Sequence, residues 1–549
     1  MGTEEAVPVV RSGPLVGAQE FEWWKLRHGI GTNVVSHVVP EAGTTRRMAR
    51  RLLHEAVDPF ESLRTSFGLD EEGRPRQHVH PVREFEVLER DAGEVTAEEL
   101  IAELTHTEFT VEGRTLTRVG MVVDGPYVRC VVLSVSHAVI DGRGAQVLRQ
   151  RLNSVFAGRG TKLTTAEAAP HPVDSALSEH SGPLSRMRSA SLRFWEKEIE
   201  RMPNRLFAPA RGGVIERYHS EYESFAAHPA LVLTGRRFQT SPAVVYTSTI
   251  VALAALISGS PTTTVRTHFA GRTPEENNTV GCYHQILPLT IDTSDRPSLG
   301  RIIERVRSQS FRVQRRYRVS HLTYREMRAR AERARGASFA EGITVNFDYE
   351  VPLNQLTSQD SVLAAELESA GERELLMGAG ESGADLTGLD AYLMFRLRSE
   401  TLHGFGTFNS LSMSTEQMRG LLAGPEQLLR RLLSEGDVAW EAMRAMFGER
   451  VCGTGRADLG RRGVDVFSFG ESVAALERHP DVAGAVLRVT EDAGHSVLVA
   501  HVETRTSRLT PEELRAHMLR QLSPAHPVVC PDRFVITVVA TAGPVPHRT

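Results

Sequence analysis

Cysteine is scarce. Cys130, Cys282, Cys452 and Cys530 are the only four in 549 residues, far apart and without a CxxC pair or other metal-ligand spacing. That excludes a disulfide framework and reads as reduced thiols in a cytoplasmic protein, and no metal site is expected. No secretory leader is expected either, since MGTEEAVPVV is acidic and has neither a basic stretch nor a long apolar one. Ala6 stands where N-myristoylation needs Ser or Thr. The most apolar segment, AVVYTSTIVALAALISG at 243–259, is too short and too rich in Thr and Ser for a membrane span and reads as a buried core helix. The formal net charge is −4, so no overall field recruits nucleic acid. Neither membrane nor nucleic acid is an expected partner, and no short-period repeat is present.

What is there describes a globular α/β protein. Hydrophobic residues make up 41 % and charged residues 24 %, and the length implies two to four domains. The stretch VVLSVSHAVIDGRGAQVL, residues 131–148, holds a histidine at the end of an apolar run that reads as a strand. A helical pattern follows, with Leu148, Leu152, Val155 and Phe156 on one face. By itself, His137 with Asp141 and Gly142 is as readily a turn as a site. Residues 118–135 read as a hairpin closed at Asp124-Gly125, residues 298–317 as a helix and 401–410 as a strand. Residues 157–184 have little periodicity and many turn formers, and residues 453–463 make a second break. These place cuts near 175 and 450, giving domains 1–175, 176–449 and 450–549.

Seven segments, one of them holding that histidine, then carry a resemblance. PLVGAQEFEWWKL (14–26), FESLRTSFGLDEEGRPRQHV (60–79), VSHAVIDG (135–142), LRFWEKEIERMP (192–203), VRTHFAGRTPEENNTVGCYHQILPLTID (265–292), and SHLTYREM (320–327) with GITVNFDYE (342–350), stand in the order of the signatures of nonribosomal-peptide condensation domains. The match in order and spacing runs over roughly residues 12–445. The resemblance implies two lobes like chloramphenicol acetyltransferase, arranged as a V around a central tunnel. It implies an acyltransferase that joins a carrier-protein-bound acyl or aminoacyl thioester to an amine, or sometimes a hydroxyl. No cofactor is expected beyond the phosphopantetheine arm of the partner acyl or peptidyl carrier protein.

The resemblance also assigns residues. His137 matches the second histidine of the family's active-site signature, and a histidine there can accept a proton or hydrogen-bond the developing intermediate. Gly142 is expected to supply an unusual backbone angle and close approach of the thioester. Asp141 is expected to point away from the tunnel and pair with Arg272, fixing the loop. Ser136 replaces the family's first histidine. His284-Gln285 replaces an asparagine-containing pair on the acceptor side, and Asn346 matches a polar position facing the site. Ser136, Asn346, His284 and Gln285 are therefore the candidate substrate-binding residues. The basic run 301–335 reads either as a solvated helix face or as a dock for an acidic carrier protein.

From residue 455 the pattern resembles the hinge and mobile C-terminal subdomain of adenylate-forming enzymes, with Asp458 at the hinge position. The expected Gly-Lys is missing where the sequence reads AGPVPHRT, so this small α+β piece is expected to be a remnant or a docking module without adenylation activity. Two alternatives stay open: an acyl-CoA-dependent acyltransferase of the same superfamily, and a non-catalytic platform that recruits carrier proteins.

Overall fold

The computed structural model describes residues 8–111, 115–158, 169–179, 183–209, 217–350, 358–370, 376–379, 388–453 and 458–539. Its contacts divide the chain into two compact units. The first comprises Met1–Phe194 with Phe269–Gln285 and Arg316–Arg325; the second holds Trp195–His268, Ile286–Arg315 and Glu326–Thr549. These bounds differ from cuts near 175 and 450. Two later segments fold back into the first unit, and the C-terminal hundred residues belong to the second.

The first unit is built on a four-stranded sheet in the order Asn33–Val38, Tyr127–Ser136, Thr117–Asp124, Val87–Asp91. The central hairpin turns at Gly125, whose φ of 53° suits glycine. Tyr127–Ser136 is apolar on both pleat faces because helices cover both. Cys130 and Val132 pack with Leu100 and Leu104 of the Ala97–His106 helix on one side. Val131, Leu133 and Val135 join the cluster of Leu148, Leu152, Val155, Phe156, Ala49 and Leu53 on the other. A second, three-stranded sheet orders Arg11–Pro14, Pro75–Val79 and Thr65–Leu69.

The second unit carries a seven-stranded mixed sheet, ordered Gln285–Asp292, Thr262–Phe269, Gly342–Tyr349, Leu389–Leu397, Leu402–Asn409, Arg217–Ser224, Leu376–Ala379. The apolar stretch is the helix Pro242–Ser258, buried nearly all round. It starts with Ser241, whose hydroxyl accepts from the Val244 N–H, has Pro242 in its first turn, and ends on Gly259 at φ 59°. No single helix among the described residues is long and apolar enough to cross a membrane.

The C-terminal part of this unit is α+β: a hairpin of Leu459–Arg462 and Asp465–Ser468, and a three-stranded sheet of Val482–Asp492, His495–Thr504 and Arg533–Val538. Helices Phe469–Glu477 and Pro511–Arg520 complete it. It is sewn into the rest of the unit. Asn204 bonds both ways with Val466 (Nδ2 to O 3.0 Å; N to Oδ1 2.8 Å), and Arg335 forms an ion pair with Asp465. Arg462 donates to Asp465 at 3.0 Å and to the Cys530 carbonyl at 2.9 Å, and the Cys530 N–H donates to the Gly336 carbonyl at 2.7 Å. Ala337 lies in the same apolar cluster as Phe467, Leu498 and Val529. The candidate hinge residue Asp458 accepts from the Ser468 hydroxyl at 2.9 Å. Residues 540–549, where the resemblance would place the adenylation lysine, lie outside the described residues.

Candidate active site

The site is assembled within the first unit from a strand end, a helix start, one face of the N-terminal helix and the segment just before Gln285. His137 follows the Tyr127–Ser136 strand, and its backbone N–H donates to the Thr32 carbonyl at 2.9 Å. Asp141 then caps the helix Gly142–Phe156, its Oδ1 accepting from the Gly144 N–H at 2.8 Å.

Asp141 does more than cap. Arg272 Nη2 donates to its Oδ1 at 2.6 Å, and Oδ2 accepts from the backbone N–H groups of Tyr283 (2.8 Å) and His284 (3.2 Å). Both charged side chains are 3 % exposed. Arg272 also donates to the carbonyls of Glu276, Thr279 and Gly281, and its guanidinium lies 4.6 Å from the Tyr283 ring centroid. Burial alone would raise the Asp141 carboxyl, but Arg272 and the backbone donors hold it below the usual carboxylate range. One carboxylate therefore ties the histidine loop to the 270–285 segment. Gly271 makes that approach feasible: its φ is 63°, and a Cβ there would lie 2.0 Å from the Tyr283 carbonyl oxygen.

The segment delivers His284 beside His137, ring centroids 4.6 Å apart. On the other side of His284 lies Glu22, its Oε1 3.4 Å from Nε2, and Glu22 also accepts from Lys25 at 2.9 and 3.2 Å. Cys282 completes the cluster, with Sγ 3.6 Å from His284 Nδ1. His137 Nδ1 is buried without a hydrogen-bond partner. Burial pushes the His137 ring down to about 4; Glu22 opposes the shift, and His284 and Lys25 add to it. Burial of Glu22 would raise its carboxyl, yet His137, Lys25 and His284 together hold it well below the usual range. At neutral pH the arrangement is a neutral imidazole beside a buried, ionised carboxylate.

Several expected roles change. Gly142 is not in the left-handed region, and a Cβ there would meet nothing within 4 Å, so its helix-starting position imposes no need for glycine. Ser136 is 2 % exposed and its hydroxyl accepts from the Ala138 N–H at 3.4 Å, a turn contact. Gln285 donates to the Val319 carbonyl at 3.5 Å and keeps a buried, unpartnered Oε1. Asn346 lies in the second unit, in the middle of a strand, and donates to the Tyr392 hydroxyl at 3.2 Å.

The basic run 301–335 is largely spent internally. Arg301 pairs with Glu304 and Arg305 with Asp295, while Arg328 holds Glu341 and Arg335 holds Asp465. Arg201, Arg301, Arg305, Arg307 and Arg312 nevertheless line a groove of about 410 Å³, with Asp292 and Glu304 among them.

Glu22, Lys25, Cys282 and Gly271 were not singled out from the sequence. The signal for Glu22 was there. Ala18, Glu22 and Leu26 recur at helical spacing on the buried face of Gly17–Arg27, where an acid is out of place. Likewise, wide cysteine spacing does not bear on metal binding here, because Cys282 and His284 are two residues apart and the fold brings His137 to them.

Comparison with known proteins agrees with this architecture. Residues 41–374, more than half of the chain, match the condensation-domain family. The chain is 24 % identical over 379 residues to a probable non-canonical nonribosomal peptide synthetase of Salinispora arenicola, covering 66 % of this chain and 5 % of that protein. It is 25 % identical over 280 residues to a dimodular nonribosomal peptide synthase of Bacillus subtilis, covering 47 % of this chain and 12 % of that one. It thus spans a small fraction of these relatives' length. Among solved structures, a condensation domain that mediates chain release from the enacyloxin polyketide synthase superposes with a TM-score of 0.58 at 19 % identity, covering 78 % of this chain and 84 % of that one. The first condensation domain of the CDA synthetase gives 0.55 at 16 % identity, covering 79 % and 99 %. The X-domain of teicoplanin biosynthesis gives 0.58 at 14 %, covering 80 % and 99 %. With its two-unit α/β fold and this matched span, the chain belongs to the condensation-domain family of nonribosomal-synthetase type.

Proposed function

We propose that the chain joins a carrier-protein-bound acyl or aminoacyl thioester to an amine, with His137 as the proton acceptor. The observation that carries this reading is a neutral histidine with an unpartnered ring nitrogen, on a loop held by the buried Asp141–Arg272 pair. As the amine nitrogen attacks the thioester carbonyl, the C–N bond forms and the imidazole takes the nitrogen's proton. Collapse of the tetrahedral intermediate breaks the C–S bond, and the imidazolium returns the proton to the departing thiolate. Glu22 stabilises the imidazolium in between, as a buried negative charge that the free amine cannot displace. The unpartnered Gln285 Oε1 offers an acceptor for an amine N–H.

The donor arrives on a phosphopantetheine arm, and the arginine-lined groove is a candidate dock for its carrier. Residues 450–549 are read as an adenylation-subdomain-like piece, and the protein as cytoplasmic. Acylated carrier proteins, the matching acyl-CoA thioesters and a mixed pool of amines and alcohols, offered to the protein and to His137→Ala, test the reading by mass spectrometry. Carrier-dependent amide, reduced about 10²–10⁴-fold in the variant, supports it. Equal use of acyl-CoA makes the protein a CoA-dependent acyltransferase, and carrier binding without turnover makes it a recruitment platform.

A further inference from the structure

We propose that His137, Cys282 and His284 form a binding site for a soft divalent cation of the zinc class. One ligand atom from each lies within 4.8 Å of the others. Bond lengths of about 2.0–2.1 Å to nitrogen and 2.3 Å to sulfur put neighbouring donors of a tetrahedral zinc roughly 3.3–3.8 Å apart. The Cys282 Sγ to His284 Nδ1 distance of 3.6 Å is already in that range.

Three further observations point the same way. His284 turns its other nitrogen, Nε2, toward Glu22 Oε1 at 3.4 Å, the carboxylate–histidine arrangement that orients ligating imidazoles. His137 Nδ1 is buried and has no partner, so the protein has a lone pair or proton to place there. The surrounding backbone is pinned as well, since Asp141 holds the N–H groups of Tyr283 and His284 on either side of the second imidazole. Cys282 is fully buried, while the residues His137 and His284 are each partly exposed, so an ion would approach from their side.

On binding, the Cys282 thiol gives its proton to water as the sulfur–metal bond forms, and both imidazoles bind in neutral form. Three protein ligands leave a fourth position for water or an incoming thiol. Because the proposed proton acceptor is one of the ligands, an occupied site stops condensation. That consequence, unlike the site itself, rests on the function proposed above.

The test uses the full-length, tag-free protein after chelation. Titration with Co²⁺ should give one equivalent bound, with a cobalt–thiolate absorption band that Zn²⁺ displaces. Cys282→Ser should abolish the band, and Glu22→Gln should weaken Zn²⁺ binding about 10–100-fold with the circular dichroism spectrum unchanged. No thiolate band at micromolar metal, or a band that survives Cys282→Ser, overturns the site. Zn²⁺ should stop carrier-dependent turnover and a chelator should restore it, and His137→Ala should weaken Zn²⁺ binding; unchanged Zn²⁺ affinity in His137→Ala removes His137 from the ligand set and overturns the proposal, whereas full turnover with zinc bound through His137 overturns its role as proton acceptor. A protein that binds the metal through Cys282 but never turns over keeps the site and sinks the condensation reading instead.

Discussion

Removing the Asp141 carboxylate should free the histidine loop, and the size of the effect follows from its partners. Asp141 accepts from Gly144, Arg272, Tyr283 and His284, and it and Arg272 are almost fully buried. Breaking a buried pair from one side costs about 3–5 kcal/mol, because the other charge stays behind. The lost helix cap is worth about 1 kcal/mol and falls within that range, since the same oxygens serve both roles. Arg272→Met should cost a similar amount, leaving the carboxylate with only backbone donors. The double variant should cost about 2–3 kcal/mol less than the sum, the coupling expected of groups in one network. Hydrogen exchange followed by mass spectrometry reads this directly, because the amides of Gly144, Tyr283 and His284 are themselves the donors. In either single variant they should exchange about 10²–10⁴ times faster, at about 1.4 kcal/mol per factor of ten. Single effects below about 1 kcal/mol, or strict additivity in the double variant, would refute the idea that this pair holds the loop.

Other outcomes follow from the same structure. Gly271→Ala should destabilise by about 3 kcal/mol or more, through its positive φ and the Tyr283 carbonyl, whereas Gly142→Ala should stay within about 0.5 kcal/mol; urea midpoints compare them. Burial of Asp390, against which Ser412, Arg205 and Arg217 work only partly, pushes its carboxyl up to about 6. The native state then binds the extra proton between about pH 4 and 6, so stability contributed by this group is present at low pH and lost as pH rises through that window. Asp390→Asn should abolish that loss, gaining up to about 3 kcal/mol at pH 7.5 and nothing at pH 4 in urea titrations; a gain independent of pH would contradict it.

Much of this was legible in the sequence for identifiable reasons. The hairpin, the capped Gly142–Phe156 helix and the buried Pro242–Ser258 helix announce themselves through local periodicity and end signals. The Asp141–Arg272 pair was legible only through the resemblance, since its members lie 131 residues apart. Of the Glu22–His284–His137–Cys282 cluster, the resemblance brought the two histidines to the site, but their partners Glu22 and Cys282 were not legible. The cluster depends on three segments meeting, and single-sequence periodicity says nothing about which histidine a distant helix will face. Gly142 misled for the opposite reason: in a motif it looks conformationally demanding, whereas at the first turn of a helix its backbone is ordinary.

The seam joining the C-terminal α+β part to the second unit bears on heredity as well as folding. Asn204, Arg335 and Ala337 each have partners beyond residue 464, so a premature stop codon after residue 450 would strip a lobe of part of its interior. Nonsense and frameshift alleles that truncate the chain between residues 450 and 465 should therefore be as severe as early ones. By the same argument, recombination that exchanges this part between paralogues would succeed only when Asn204, Arg335 and Ala337 travel along.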